Sequence, residues 1–407
     1  MDFSFSPAQE QWHTRMAEFL EAEVYPVEEQ ARAEAVRSAQ AGTWERPSAV
    51  ARLAAAARSA GLWNLSLPEP HGAGLSLLDV APVVELSGRS PHLAPEAINL
   101  SSPDIGNIEL LLRHGTPQQR EQWLDPLVAG DLRSSFAMTE PSVASSDAGN
   151  IATAIEVDQS SQELVINGTK WWSSGAMAPD CRMLLVMGRS NPRGQRHQQH
   201  SLAIVPKDTP GVQVVRSTSV LGYPDAVTGG HAQITFTDVR VPMTNLVGGL
   251  HRGFALAQAR MAPTRLMHCL KLIGVAERAY DLMALRVPSR IVFGRPLAQQ
   301  GLVQQWIAES RVAIDQARLL GYRAAWALDR TDEQESAAAV SALKVVAPRM
   351  ATAVVDRAIQ AYGGMGLSED LPLGELNAYC RQMHIADGPD EVHLLAVARH
   401  ELSRYSD

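Results

Sequence analysis

Cysteine is scarce in this 407-residue chain, and Cys181, Cys269 and Cys380 stand far apart and odd in number. Such a set builds neither a disulfide framework nor a zinc site. It fits a reducing compartment, here expected to be the cytoplasm. Positive charge is also limited: 36 Lys and Arg face 44 Asp and Glu, for a formal charge of −8. No basic block or stripe occurs, which argues against a nucleic-acid partner. No apolar run reaches the roughly 18 residues that a membrane span needs. The opening MDFSFSPAQE has no basic start or apolar core and does not read as a signal or transit peptide. The histidines are scattered. His197 and His200 fall in RGQRHQQH, which reads as a solvated loop, so no metal site is expected.

Hydrophobic residues make up 45 % of the chain and charged residues 20 %, enough for a large core in a globular protein. The length predicts two or three substructures. Residues 1–132 read as helical. Ser6-Pro7 followed by Gln9 resembles a capped helix start, and AVARLAAAARSAGL (49–62) runs to a stop at Gly61. Residues 133–245 change period. HAQITFTDVRVP alternates as a half-buried strand, SLAIVP and GVQVV look like further strands, and Asn-Gly in ELVINGTKWW predicts a hairpin turn. From 246 to 407 the pattern is helical again. Leu266, Leu270, Ile273, Ala276, Tyr280 and Met283 fall at three-to-four spacing, as do Leu343, Val346, Met350, Val354 and Ala358. The prediction is mainly α with a central antiparallel β domain: an N-terminal helical domain, the β domain, then a C-terminal four-helix bundle.

Five stretches resist a purely structural reading. They are FAMTEPSVASSD (136–147), WWSSG (171–175), RIVFGRPL (290–297), QAYGGMG (360–366) and ADGPDE (386–391). The last puts an acid, Asp387, in a tight break between two apolar segments, where an ordinary helix N-cap is the simplest explanation. GGMG follows a helix rather than a strand and is no dinucleotide fingerprint. In this order and spacing, across nearly the whole chain, the five resemble the acyl-CoA dehydrogenase family. The ASSD and ADGPDE segments are most similar to the subgroup whose members are sometimes fused to a kinase-like domain.

The resemblance implies FAD as cofactor and α,β-dehydrogenation of an acyl-CoA, with a carboxylate taking the α-proton and the β-hydride passing to flavin N5. It implies a homodimer or homotetramer and an electron-transfer flavoprotein as electron acceptor. By it, Asp387 is the base. A carboxylate is a weak base in water, and burial is expected to raise its pKa toward the working range. The backbone N–H of Asp387 would help hold the thioester oxygen, with Gly388 giving close backbone approach to substrate. Phe136, Met138 and Thr139 would line the flavin, with Trp172 packing on it and Ser174 bonding N5. Ser146 would touch the acyl-CoA or the flavin phosphates. Arg290 and Phe293 would hold the pyrophosphate and adenine half, the Arg fork suiting phosphate oxygens. Gln360 and Gly364 would approach the adenine side from across the dimer, Pro389 and Glu391 would lie near FAD, and Arg265 near CoA. The chain departs from the family at two places: Ser174 stands where Thr is commoner, its hydroxyl still able to donate, and Asp-Gly-Pro stands where most members have Glu-Gly-Thr. Some members put the base on the first bundle helix, but the matching Thr264 is not acidic. Two other readings share the fold: a flavin oxidase or monooxygenase, and a non-catalytic FAD-binding assembly subunit.

Overall fold

The computed structural model describes residues 4–405. Helices occupy both ends of the chain and a sheet the middle, as the periodicities predict. By contacts the chain divides into two units. One comprises Met1–Tyr25, Ala73–Pro95 and Arg265–Asp407; the other Pro26–Gly72 and Glu96–Thr264.

The first unit is the bundle. Its long helices are Gly253–Ser289, which it shares from Arg265 onward, Gly301–Arg330, Glu333–Tyr362 and Asp390–Ser403, with a shorter one at Leu373–Met383. Leu266, Leu270, Ile273, Ala276, Met283, Leu343, Met350, Val354 and Ala358 are buried, whereas Val346 is half-buried and Val345 takes the core position. Pro7–Phe19 starts on a capping box. Ser6 Oγ accepts from Gln9 N, and Gln9 Oε1 accepts from Ser6 N at 2.9 Å. The Leu77–Ser87 helix crosses Gly253–Ser289 very closely. A Cβ on Gly88 would lie 2.0 Å from the Lys271 carbonyl oxygen, and one on Gly274 would lie 1.9 Å from that of Glu85. Between Glu333 and Leu367 the chain is long and apolar enough to cross a membrane, which sequence reading did not foresee. However, 67 % of its apolar 18-residue window is buried inside the protein, as in a bundle core.

The second unit is built on an eight-stranded sheet. Its strands are β1 (Arg133–Ala137), β2 (Ala154–Asp158), β3 (Glu163–Ser174), β4 (Cys181–Arg189), β5 (His200–Pro206), β6 (Val212–Thr218), β7 (His231–Pro242) and β8 (Leu246–Val247). The order is β6-β7-β3-β2-β4-β5-β8, with β1 against β4. Pairing is antiparallel except for β1 with β4 and one β2–β4 bridge, so the sheet is mixed rather than wholly antiparallel. Two details of the loop readings fail. His200 is fully buried on β5, although Arg193, Gln195, Arg196, His197 and Gln198 of that polar stretch are exposed. Asn167-Gly168 does not turn. β3 runs straight through it against β7, and the register shifts there as a bulge. Asn167 Oδ1 accepts from Asp238 N at 2.8 Å, fixing the bulge to the partner strand. The dipeptide signals positive φ, and here a bulge uses it in place of a hairpin. Gly168 has φ 153°, and a Cβ there would sit 2.4 Å from Thr153 Oγ1.

One buried ion pair ties the chain after β1 to β3. Lys170 Nζ donates to Glu140 Oε1 and to the Met138 carbonyl, both at 2.8 Å. Glu140 also accepts from Ala152 N at 2.8 Å and Thr153 N at 2.9 Å. Lys170 is fully buried and Glu140 nearly so. Burial alone pushes the Glu140 carboxyl up, but Lys170 and the donated N–H groups hold it below its ordinary range.

Lys170→Met should destabilise the protein by about 3–5 kcal/mol in chemical denaturation, because it strands a buried carboxylate. Gly168→Ala should cost on the order of 1–3 kcal/mol from strained φ and overpacking. A neutral result for either would contradict its account.

Candidate functional site

In the bundle unit, chemistry concentrates between Met383 and Asp390. Leu373–Met383 ends there, and Asp390–Ser403 begins with Pro389 as an N-cap that makes no side-chain cap bond. Asp387 therefore precedes the cap position, and the simple N-cap reading does not hold. Its φ is 57° and that of Gly388 is 103°, two successive left-handed residues that turn the chain sharply. A Cβ on Gly388 would come 3.0 Å from His393 Nε2, so glycine answers both strain and crowding.

Three long helices clamp this turn. From Gly253–Ser289, Arg265 Nε donates to the Asp387 carbonyl at 2.9 Å, and His268 Nδ1 lies 2.8 Å from Asp387 Oδ2. From Glu333–Tyr362, Lys344 Nζ donates to the Met383 carbonyl, tying down the preceding helix end. From the last helix, His393 Nε2 sits 3.2 Å from the Asp387 carbonyl oxygen, with its Nδ1 3.3 Å from Ser341 Oγ. A second link crosses the turn: His384 Nδ1 lies 2.9 Å from Asp390 Oδ2, which Arg349 Nε also reaches at 3.3 Å.

The electrostatics of Asp387 reverse the expectation from burial. Desolvation does push its carboxyl up. Yet His268, Lys344 and Arg265 together hold it well below the usual carboxylate range, so it is ionised throughout the working range. Burial lowers the pKa of His268, with Lys271 and Lys344 adding to the effect against the opposing pull of Asp387. Burial also brings His393 down to about 4.

Sequence reasoning named Asp387, Gly388 and Arg265 in this cluster and assigned Arg265 to the CoA, but its Nε holds the turn. His268, Lys344, His393, His384 and Asp390 were missed. A signal did exist in HIADGPDEVH, where an acid and a histidine recur six apart twice, as His384 with Asp390 and Asp387 with His393. Pro389 is half-buried and Glu391 exposed.

Other predicted residues of this unit stand on exposed segments. Arg290 precedes a two-residue hairpin in which β9 (Ile291–Val292) pairs with β10 (Arg295–Pro296). Phe293 and Gly294 form its tip with φ 49° and 79°, the twist such hairpins need. Phe293 is 99 % exposed. Gln360 is exposed on the last turn of Glu333–Tyr362, and Gly364 is exposed just beyond it.

In the sheet unit, Phe136 lies on β1, and Met138 and Thr139 follow it. The Thr139 carbonyl accepts from Trp171 N at 3.0 Å, so this segment is bonded to the end of β3 through both Lys170 and Trp171. The Phe136 ring already carries a cation: the Arg260 guanidinium carbon is 4.2 Å from its centroid. β3 bulges again between Lys170 and Ser173, and Trp172 takes φ 54° there. Its ring is 36 % exposed and tilts against His231, with centroids 5.3 Å apart. Ser174 Oγ is 3.0 Å from His231 Nδ1, and His231 Nε2 is 3.1 Å from Asp225 Oδ2, a link sequence reasoning also missed. Ser146 is exposed in the loop that follows.

An exposed indole beside a hydroxyl, with a second hydroxyl on Thr139, offers an apolar face and polar edge donors together. That donor set suits an isoalloxazine ring. The buried Trp171 Nε1, which has no partner among the described residues, adds a further donor.

Family models for the acyl-CoA dehydrogenase N-terminal, middle and C-terminal domains match residues 6–131, 135–239 and 251–402. The chain is 50 % identical over 404 residues to the protein named "Probable acyl-CoA dehydrogenase FadE2" from Mycobacterium tuberculosis, covering 99 % of this chain and 98 % of that one. It is 45 % identical to acyl-CoA dehydrogenase family member 10 of Mus musculus over 98 % of its own length but only 37 % of the relative's. A solved Mycobacterium abscessus protein described as an acyl-CoA dehydrogenase superposes with a TM-score of 0.95 at 44 % identity, over 99 % of this chain and all of that one. Butyryl-CoA dehydrogenase from Megasphaera elsdenii shares the fold at a TM-score of 0.83 and 23 % identity, over 99 % of this chain and all of that one. The chain belongs to the acyl-CoA dehydrogenase family of flavoprotein oxidoreductases.

Proposed function

We propose that the protein oxidises an acyl-CoA to its 2-enoyl-CoA with Asp387 as the base that removes the α-proton. The carrying observation is the turn itself: a half-buried carboxylate with its Oδ2 shielded, ionised and clamped from three helices, in the segment that resembles the family's base. A poorly acidic C–H needs an ionised base in fixed position, and both conditions are met here. Bound FAD supplies the two-electron acceptor for the β-hydride. Thr139, Ser174 and the face of Trp172 would hold its ring, with Phe136 and Met138 alongside and Pro389 and Glu391 nearby. Arg290 and Phe293 would hold its pyrophosphate and adenine end, with Gln360 and Gly364 meeting that end from a second subunit. The solvent-exposed Phe293 at a strained hairpin tip supports a homo-oligomer, dimer or tetramer, because an apolar ring so placed gains from a partner surface. Ser146 and Gly388 remain candidates for substrate contact. An electron-transfer flavoprotein is the proposed acceptor of the electrons, and the three buried free cysteines support a cytoplasmic setting.

Anaerobic titration with acyl-CoAs from short to very long chain should bleach the flavin absorbance with one class. Asp387→Asn should keep FAD and bind acyl-CoA yet slow flavin reduction by several orders of magnitude, because only the proton acceptor is lost. Normal reduction by that variant would show that another group is the base. Peroxide release in air during turnover would favour an oxidase.

A further inference from the structure

The Asp387 carboxylate is not free in its pocket. Arg265 and His268 lie three residues apart on one helix face and divide the residue between them. Arg265 takes the carbonyl oxygen and His268 lies 2.8 Å from Oδ2. An ionised carboxylate can only accept, so in this contact His268 Nδ1 carries the proton.

We propose that His268 is a positioning residue for the base: its Nδ1, 2.8 Å from Asp387 Oδ2 but off the line of a formed hydrogen bond, turns to donate to that oxygen and leaves Oδ1 as the oxygen that meets the substrate's α-proton. This inference rests on the reading of Asp387 as base. In the step, the α-C–H bond breaks, the proton moves to Oδ1, and the electron pair stays on the substrate, delocalised toward the thioester oxygen. His268 keeps its own proton throughout, and no co-reactant is needed beyond the FAD acceptor. The role has a steric logic. Asp is one methylene shorter than the Glu of most relatives, with one fewer torsion, and the imidazole contact fixes the torsion that aims its oxygens. His268 also belongs to the set that keeps the carboxylate charged. The other members are Arg265 on the same helix and Lys344 on the third bundle helix, while the neutral His393 on the last helix faces the backbone carbonyl of the turn. Cys269, next to His268, is pushed up to about 12 and stays uncharged. Lys271 faces His268 rather than the carboxylate.

The test compares His268→Leu, His268→Asn and Asp387→Asn with the wild type, using whichever acyl-CoA bleaches the wild-type flavin. Anaerobic stopped-flow reduction is followed across neutral and mildly acidic pH, alongside FAD content and acyl-CoA binding. His268→Leu should retain FAD and bind acyl-CoA within about twofold, while reduction slows roughly 10- to 100-fold. Its acid limb should move up by about one pH unit or more, because a charge-stabilising donor is gone. His268→Asn, which keeps an N–H near the Nδ1 position, should recover most of the rate and the wild-type pH profile. If Leu does not yield folded flavoprotein, His268→Met takes its place. Wild-type rate and pH profile in either apolar variant would overturn the proposal. So would a loss in His268→Asn as deep as in Asp387→Asn, which would make the imidazole itself the acceptor. Undiminished reduction by Asp387→Asn, or no bleaching of the wild type by any acyl-CoA, would instead remove the underlying reading.

Discussion

A buried carboxylate must either lose its charge or be surrounded by groups that make the charge tolerable, and the turn at Asp387 is built around the second solution. Desolvating an anion costs several kcal/mol even after relaxation. Here that cost is offset by a guanidinium, an ammonium and an imidazole from two different helices, while His393 on a third holds the backbone. Each of these groups reaches the turn only if its helix sits in register, so the site's electrostatics and the bundle's packing are one problem. The bare backbone contacts at Gly88 and Gly274 belong to the same problem, because they bring a neighbouring helix close to the one that carries Arg265 and His268.

The sheet unit solves a similar problem with a single ion pair. Lys170 and Glu140 are both buried, and between them they bond Met138, Ala152 and Thr153. A buried pair of this kind contributes little net stability against an apolar alternative, but breaking it on one side is severe. Its value is geometric. It fixes the residues after β1 against the end of β3, where Trp172 and Ser174 emerge on a bulge. Two bulges in β3 do different work. The one at Asn167-Gly168 corrects register, and the one at Trp172 turns an aromatic ring outward.

Much of this was legible in the sequence, and the failures have physical causes. Three-to-four spacing located the bundle helices because a helix core needs a continuous apolar stripe. Asn167-Gly168 announced positive φ correctly, but two residues cannot say whether a strand turns back or bulges, since the arms' partners decide that. His200 was misread because its polar neighbours set the local composition, while it begins a strand that is buried on both faces. Asp387 stood out by its place in a break. Its partners did not, because His268 is 119 positions away in the chain and Lys344 is 43. The direction of its pKa shift was misjudged for the same reason. Burial can be guessed locally, but the compensating cations come from elsewhere in the fold.

The substitution of Asp for Glu then takes on a different meaning. Taken alone, a shorter acid loses reach of roughly 1.5 Å, enough to cost about two orders of magnitude in rate if nothing else changes. Taken with its surroundings, it also has fewer conformations to lose, and its backbone is pinned through the carbonyl by Arg265 and His393. A long acid on a loose turn and a short acid on a clamped turn can present the same oxygen to the same carbon. The second route needs more partners and tolerates less change among them, which is why Arg265, His268, Lys344 and His393, all outside the recognised motif, converge on this one turn.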